Sequence, residues 1–318
     1  MKILVTGASG FVGGALMHRF GGRDDVRVHG VARRGAACAN YTTADLSRPF
    51  DVPFDPDVVI HAAARSSPWG RRGEFHQQNV EATRQVIAFC RRRSVRKLVY
   101  ISSSSVFYRN VDQVGITESS PIGPDFVNEY AATKYAGEEL VRGFEGQWAI
   151  LRPRAVFGPG DTVVFPRILA AARQGRLPII ARRDEAPVLG DLIYIDTLSD
   201  YIFAAATRED VTGTFNLTND EPVAILPFLL DVLDRLGLPR PRRRVSVGAA
   251  MVAARLSEIT CRLLPFLGEP PVTRFGVGVF AYSKTFNVAK MREVLGAPSV
   301  SLSDGVERFV HWQRQSWA

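Results

Sequence analysis

The sequence predicts an α/β fold: a doubly wound parallel sheet joined to a smaller, discontinuous α/β unit. Three observations predict it. Short β-branched runs alternate with longer helical patterns through the first half of the chain, as parallel βαβ units require. The runs are apolar almost without interruption, as expected where helices cover both faces of a sheet. A glycine-rich turn, Thr6-Gly7-Ala8-Ser9-Gly10-Phe11-Val12-Gly13, stands directly between the first run and the first helical pattern.

Taken in order, strands are expected at Lys2–Thr6, Val26–Ala32, Val58–Ala62, Lys97–Ile101 and Trp148–Leu151, with a weaker one near Asn40–Thr43. Helices are expected between them at Phe11–Phe20, Glu74–Arg93 and Phe126–Phe144. After Arg152-Pro153 the pattern loosens. A helix at Phe165–Gln174 precedes a strand-like Leu177–Ile180, a segment centred on Ile193, a helix at Thr197–Thr207 and a further strand at Thr214–Leu217. Beyond Glu221 come helices near Leu226–Leu236 and Ala249–Leu264, Pro-rich joints and two short C-terminal helices. There is no internal repeat.

Bulk properties narrow the partners. A chain of 318 residues, 46% hydrophobic and 23% charged, is an ordinary globular composition. It buries roughly 75% of its unfolded surface without a metal or disulfide staple. The net charge of +8 comes almost wholly from scattered arginines. The tight runs, Arg91-Arg92-Arg93 and Arg242-Arg243-Arg244, have no interleaved aromatics, so a solvated face is expected rather than a nucleic-acid site. Small anions remain natural partners. Cys38, Cys90 and Cys261 are isolated and lack CxxC spacing, which fits a reducing cytoplasm and offers no metal site. Met1 runs straight into a strand, with no signal-peptide pattern. The apolar stretch Ala249–Leu267 is interrupted by Arg255, Glu258 and Arg262, too charged to span a bilayer. It reads as an amphipathic helix covering a pocket.

The glycine turn is the first functional motif. Gly7 permits a tight turn, Gly10 lets a pyrophosphate approach the backbone, and Gly13 lets helix and strand pack closely. The N–H groups around Ser9, Phe11 and Val12 would then face phosphate. This is a Rossmann-type dinucleotide site, so residues 1–152 and about 190–218 are expected to bind the cofactor. Residues from about 153 to 189 and from 219 to 318 are left for the substrate. NAD-binding folds place an acid after the second strand; here Ala32 is followed by Arg33-Arg34, suited to a 2′-phosphate. NADP(H) is therefore expected in preference to NAD(H).

The second motif is Tyr130-Ala131-Ala132-Thr133-Lys134, which sets a phenol and an ammonium on one helix face. A tyrosine titrates near pH 10, and a neighbouring cation lowers that value toward useful acid–base chemistry. Lysine occurs only at Lys2, Lys97, Lys134, Lys284 and Lys290, so its use here stands out. Ser102-Ser103-Ser104-Ser105 follows the strand ending at Ile101, at the sheet edge where active sites of open parallel sheets lie. A hydroxyl there can hydrogen-bond a substrate oxygen.

With these residues in view, the chain resembles the extended short-chain dehydrogenase/reductase family, of the NAD-dependent epimerase/dehydratase type. The resemblance rests on TGASGFVG, Asp45-Leu46, His61-Ala62-Ala63-Ala64, Asn79, the serine loop, YAATK and Arg152-Pro153-Arg154-Ala155-Val156-Phe157-Gly158-Pro159. It implies that Asp45 and Leu46 border the adenine and that Ala62, Ala63 and Ala64 line the nucleotide. Asn79, Ile101, Pro153 and Val156 complete the cofactor site. Ser103, Tyr130 and Lys134 are the implied catalytic set, with Lys134 also on the nicotinamide ribose.

Within the family the chain is most similar to the 3β-hydroxysteroid dehydrogenase-like and 2-alkyl-3-oxoalkanoate reductase branch. Ser67-Pro68-Trp69-Gly70, Asp191–Asp196, Pro270–Arg274 and Lys290–Pro298 carry that likeness. It implies interconversion of a ketone and a secondary alcohol on a mostly apolar substrate, β-keto or β-hydroxy acyl or steroid-like. Trp69, Ser104, Arg154, Phe275 and Tyr282 are the candidate substrate contacts. It also implies a homodimer through Glu74–Arg93 and Phe126–Phe144. The chain departs from the family at Phe107-Tyr108, where many relatives carry Tyr-Gly, and at Arg33-Arg34. A nucleotide-sugar 4-epimerase is the alternative reading, and a non-catalytic cofactor sensor a second. A 4,6-dehydratase fits poorly, because Ser103-Ser104-Ser105 replaces the Thr-Asp-Glu of that branch.

Overall fold

The computed structural model describes residues 1–35 and 39–317, so the expectation for Cys38 lies outside the described residues. Its centre is a seven-stranded sheet in the order Gly213–Leu217, Gln147–Pro153, Lys97–Ile101, Val58–His61, Lys2–Thr6, Arg27–Ala32, Tyr41–Thr43. Every pairing in it is parallel. The strand order reverses between Lys2–Thr6 and Val58–His61. A crevice outside the carboxyl ends of the strands opens at such a point.

Strand periodicity explains how both faces are filled. Ile3, Val5, Ile60, Val99 and Leu151 point to one side, where they pack with Leu16, Phe20, Leu198 and Ile202. Leu4, Val59, Leu98, Tyr100 and Ile150 point to the other, against Val86, Phe89, Cys90 and Val141. The helices Phe11–Gly21 and Ile195–Thr207 therefore cover one face, with the Phe20 and Phe203 rings 5.1 Å apart. Ala82–Arg92 and Glu129–Arg142 cover the other.

Several expected boundaries shift for local reasons. The helix expected from Phe126 begins at Glu129, because Asn128 caps it: its Oδ1 accepts the Ala131 N–H at 2.9 Å. The helix expected over Glu74–Arg93 starts at Arg72 and contains a π-helical segment, His76–Glu81. The strand expected at Leu177–Ile180 is Ile179–Ala181, and it pairs with Arg244–Ser246 rather than joining the central sheet. The second of the two short C-terminal helices is a 16-residue helix, Leu302–Trp317, anchored by buried Val306, Phe309 and Val310.

A smaller four-stranded sheet, Val223–Ala224, Leu189–Gly190, Lys284–Phe286 and Gln113–Ile116, lies beyond the carboxyl edge. The helix Arg274–Ala281 was not foreseen; Thr273 caps it through the Gly276 N–H at 3.0 Å. Among the described residues no helix is long and apolar enough to cross a membrane, and no His/Cys/Asp/Glu cluster could hold a metal.

Candidate active site

The phosphate cradle is set by backbone alone. Gly7 turns at φ +71°, and a Cβ there would stand 2.7 Å from the backbone of Ala63. A Cβ on Gly13 would stand 2.2 Å from the carbonyl oxygen of Gly7. Neither position admits a side chain without moving strand or helix. The helix Phe11–Gly21 starts at Gly10 with no side-chain cap and no acid in its first turn. Its leading N–H groups stay open, a ready anion site that fits a dinucleotide pyrophosphate.

The neighbouring edge is basic. Beyond buried Ala32, Arg34 donates to the carbonyl of Ser9 at 3.1 Å and Arg33 to Gln78 Oε1 at 3.2 Å. Asp45 sits lower in the chain, its Oδ1 accepting from the N–H and hydroxyl of Ser47 at 3.0 and 2.9 Å. These bonds, the backbone one first, hold its carboxyl below the usual range.

From this cradle one cavity of about 1400 Å³ runs past the serine loop to the C-terminal helices. Tyr130 enters it from the first turn of the helix Glu129–Arg142, and Lys134 from the next turn. Ser103 caps the 3-10 turn Ser104–Phe107 and faces the same space; its Oγ accepts from the Ser105 N–H at 3.2 Å. Burial pushes the Tyr130 phenol up, and the Ser103 hydroxyl beside it pulls it back. Burial also drives Lys134 down to about 7, opposed by the charge of Glu138. Its Nζ lies 4.0 Å from the centre of the Tyr100 ring. A buried ammonium near neutrality can hold or release a proton there.

Supports behind these groups fix their positions. Glu138, one turn beyond Lys134, is wholly buried and accepts from Ser102 Oγ at 2.6 Å, Arg152 Nε at 2.8 Å and the Arg152 terminal nitrogen at 2.6 Å. This bidentate pair ties the helix to two strand ends. His61 is hydrogen-bonded to Thr6 at 2.7 Å and Thr83 at 3.0 Å, and burial lowers it to about 3, so it stays neutral.

Most of the expected residues meet in the cavity wall. Gly7, Ser9, Gly10, Phe11, Val12, Gly13, Arg33, Arg34, Asp45, Leu46, Ala62, Ala63 and Ala64 line one end. Ile101, Ser103, Ser104, Tyr130, Lys134, Pro153, Arg154 and Val156 line its middle, and Phe275 the far end. Three do not line it. Asn79 is buried and instead clamps the Arg65 N–H at 2.7 Å and Thr133 Oγ1 at 2.9 Å, joining the loop after His61 to the Tyr130 helix. Trp69 lies under the Arg262 guanidinium, 5.7 Å away, and Tyr282 packs beside Lys284.

Other wall residues were missed. Asn128 spends its Oδ1 on the helix cap and leaves a buried Nδ2 without a partner in the structure, at the cavity edge. Its position three residues before Ala131 was the available signal. Val163, Val164, Ile168, Leu177, Ile180 and Phe280 form an apolar far wall that no local pattern marked. In the middle of the cavity Arg154 is buried with its guanidinium 5.1 Å from the Tyr108 ring centre and its Nε without a partner in the structure.

Comparison with known proteins is consistent with this geometry. Residues 3–218 match the model of the NAD dependent epimerase/dehydratase family. The chain belongs to that family. As a member of its extended short-chain dehydrogenase/reductase type, it is an oxidoreductase acting at a CH–OH centre with a nicotinamide cofactor. Similar curated proteins include the 2-alkyl-3-oxoalkanoate reductases of Shewanella oneidensis (32% identical, covering 96% of this chain and 84% of that one) and Stenotrophomonas maltophilia (32%, covering 97% and 98%). Among solved structures, MoeE5 in complex with UDP-glucose and NAD superposes with a TM-score of 0.77 at 21% identity, covering 100% of both chains. That likeness is one of fold.

Proposed function

We propose that this family member is an NADP(H)-dependent reductase that interconverts a ketone and a secondary alcohol on a mostly apolar β-keto or β-hydroxy acyl substrate. The observation that carries this is the placement of Tyr130, Ser103 and Lys134 between the glycine cradle and an apolar far wall, in one cavity. A bound nicotinamide would supply the hydride. Tyr130 gives its phenolic proton to the carbonyl oxygen, and the Ser103 hydroxyl orients that oxygen. Lys134 stabilises the phenolate left behind and, with its value near 7, can restore the proton.

The substrate class has two supports. The apolar wall suits an alkyl chain, and the Arg154 guanidinium in the cavity wall suits a carboxylate or acyl oxygen. The named activity of the bacterial reductases agrees with both. Preference for NADP(H) rests on Arg33 and Arg34 beside an Ala32 that offers no acid to a ribose hydroxyl.

The test is turnover of NADPH with a panel of 2-alkyl-3-oxo acids and steroid ketones, for the wild type and Tyr130→Phe. Wild type should consume NADPH with a β-keto acid. The variant should lose about 10³-fold in kcat while its NADPH Kd stays within about twofold. Epimerisation of a UDP-sugar with no ketone turned over would overturn the proposal.

A further inference from the structure

The helix Val247–Leu263 is inside out. Of its 17 residues only Ala250, Ala254 and Cys261 are buried. Ala250 and Ala254 let it lie close on Arg274–Ala281, against Val277 and Ala281. Its large apolar residues face away: Val252 is 61% exposed, Leu256 59% and Leu263 74%, with Ile259 between them. Steps of four, three and four place these four residues in one stripe. The stripe continues into the next turn, where Leu264 and Leu267 are exposed and Phe266 is 81% exposed. An amphipathic helix normally buries such a face, and contiguous exposed apolar area of this kind marks an interaction surface.

Charge indicates what covers it. Arg255 and Arg262, two turns apart, flank the same side of the stripe, Arg262 also resting over Trp69, and exposed Arg242 and Arg244 precede the helix with Arg243 between them on the cavity wall. Among the described residues none of these five has a carboxylate within salt-bridge distance. The nearby acids are already engaged, Glu258 by Arg274 at 2.8 Å and Glu269 by Arg167. A second copy docked face to face would set unpaired arginines against their own images. A bilayer with anionic headgroups complements both the stripe and the arginines. The helix itself is too short and charged to span.

One flank of the stripe borders the cavity, through exposed Ala253 one position beyond Val252. Ala250 and Ala253 of this helix, together with partly exposed Val272, belong to the cavity wall. We infer that the segment from Val247 to Leu267 docks the protein on an anionic bilayer surface, lying in the headgroup plane with the cavity beside the acyl layer. The docked face gives an apolar substrate a route from lipid into the site without crossing water. The surface stands independently of which ketone the site takes.

Flotation with phosphatidylethanolamine–phosphatidylglycerol vesicles, set against phosphatidylcholine vesicles, tests this. Wild type should float with the former, bind the latter at least tenfold more weakly, and be released by salt. The triple variant Leu256→Ser, Leu263→Ser, Phe266→Ser should lose at least tenfold in vesicle affinity, as should Arg255→Gln with Arg262→Gln. Both should keep the wild-type NADPH affinity, since none of these residues lines the cavity, and the triple variant, whose residues are all exposed, should keep the wild-type Tm. No flotation with anionic vesicles, or flotation unchanged in the variants, overturns the inference. So does a dimer in sedimentation velocity that the triple variant breaks while vesicles are ignored.

Discussion

The two ends of the cavity are built by different means. At the cofactor end the wall is backbone: a glycine turn, open N–H groups and the ends of parallel strands. At the other end, proposed for the substrate, it is side chains, drawn from Val163–Ile180, Arg243–Ala253 and Glu269–Phe280. Backbone walls tolerate almost no change, because a single Cβ collides with main chain that cannot move aside. Side-chain walls can be repacked residue by residue, so that end can change its ligand while the fold stays.

This contrast can be broken by substitution. The largest effect is expected for Gly13→Ala, whose Cβ would meet the Gly7 carbonyl. NADPH affinity should fall roughly 10–100-fold, with a lower Tm, by the ~1–3 kcal/mol typical of overpacking. Unaltered NADPH binding would refute a backbone-defined cradle. Arg33→Ala comes next: it should weaken NADPH about tenfold while leaving NADH nearly unchanged, the loss of one charge-assisted hydrogen bond. Equal losses for the two cofactors would remove the 2′-phosphate role. The smallest effect belongs to the far wall. Ile180→Ala should raise KM for an alkyl ketone about three- to tenfold and leave cofactor affinity alone. A fall in kcat with constant KM would show that this wall does more than bind.

Legibility in the sequence follows the same divide. The glycine turn, the Tyr130–Lys134 spacing and the serine loop each lie within a few consecutive residues, so helical and strand periods alone place them on one edge. The far wall needs non-local facts, such as the pairing of Ile179–Ala181 with Arg244–Ser246, which no local window contains. Asn79 was expected on the cofactor and acts one step behind it, because the π-helical segment that carries it faces Arg65 and Thr133. Trp69 and Tyr282, candidate substrate contacts by sequence, each pack against a cation outside the cavity. The sequence marks the apolar stretch Ala249–Leu267 as an amphipathic helix that covers a pocket. Ala250 on its inner side and Ala253 on its flank do line the pocket, while the large residues face outward.

The buried pair Glu138–Arg152 bears on how such a protein can diversify. Losing either partner strands a charge in the interior, a cost of several kcal/mol. Each residue therefore opposes change in the other, because the single-substitution intermediate is destabilised. That lock falls on the helix carrying Tyr130, not on the wall that meets the substrate. The far wall can then be repacked without disturbing the support behind Tyr130.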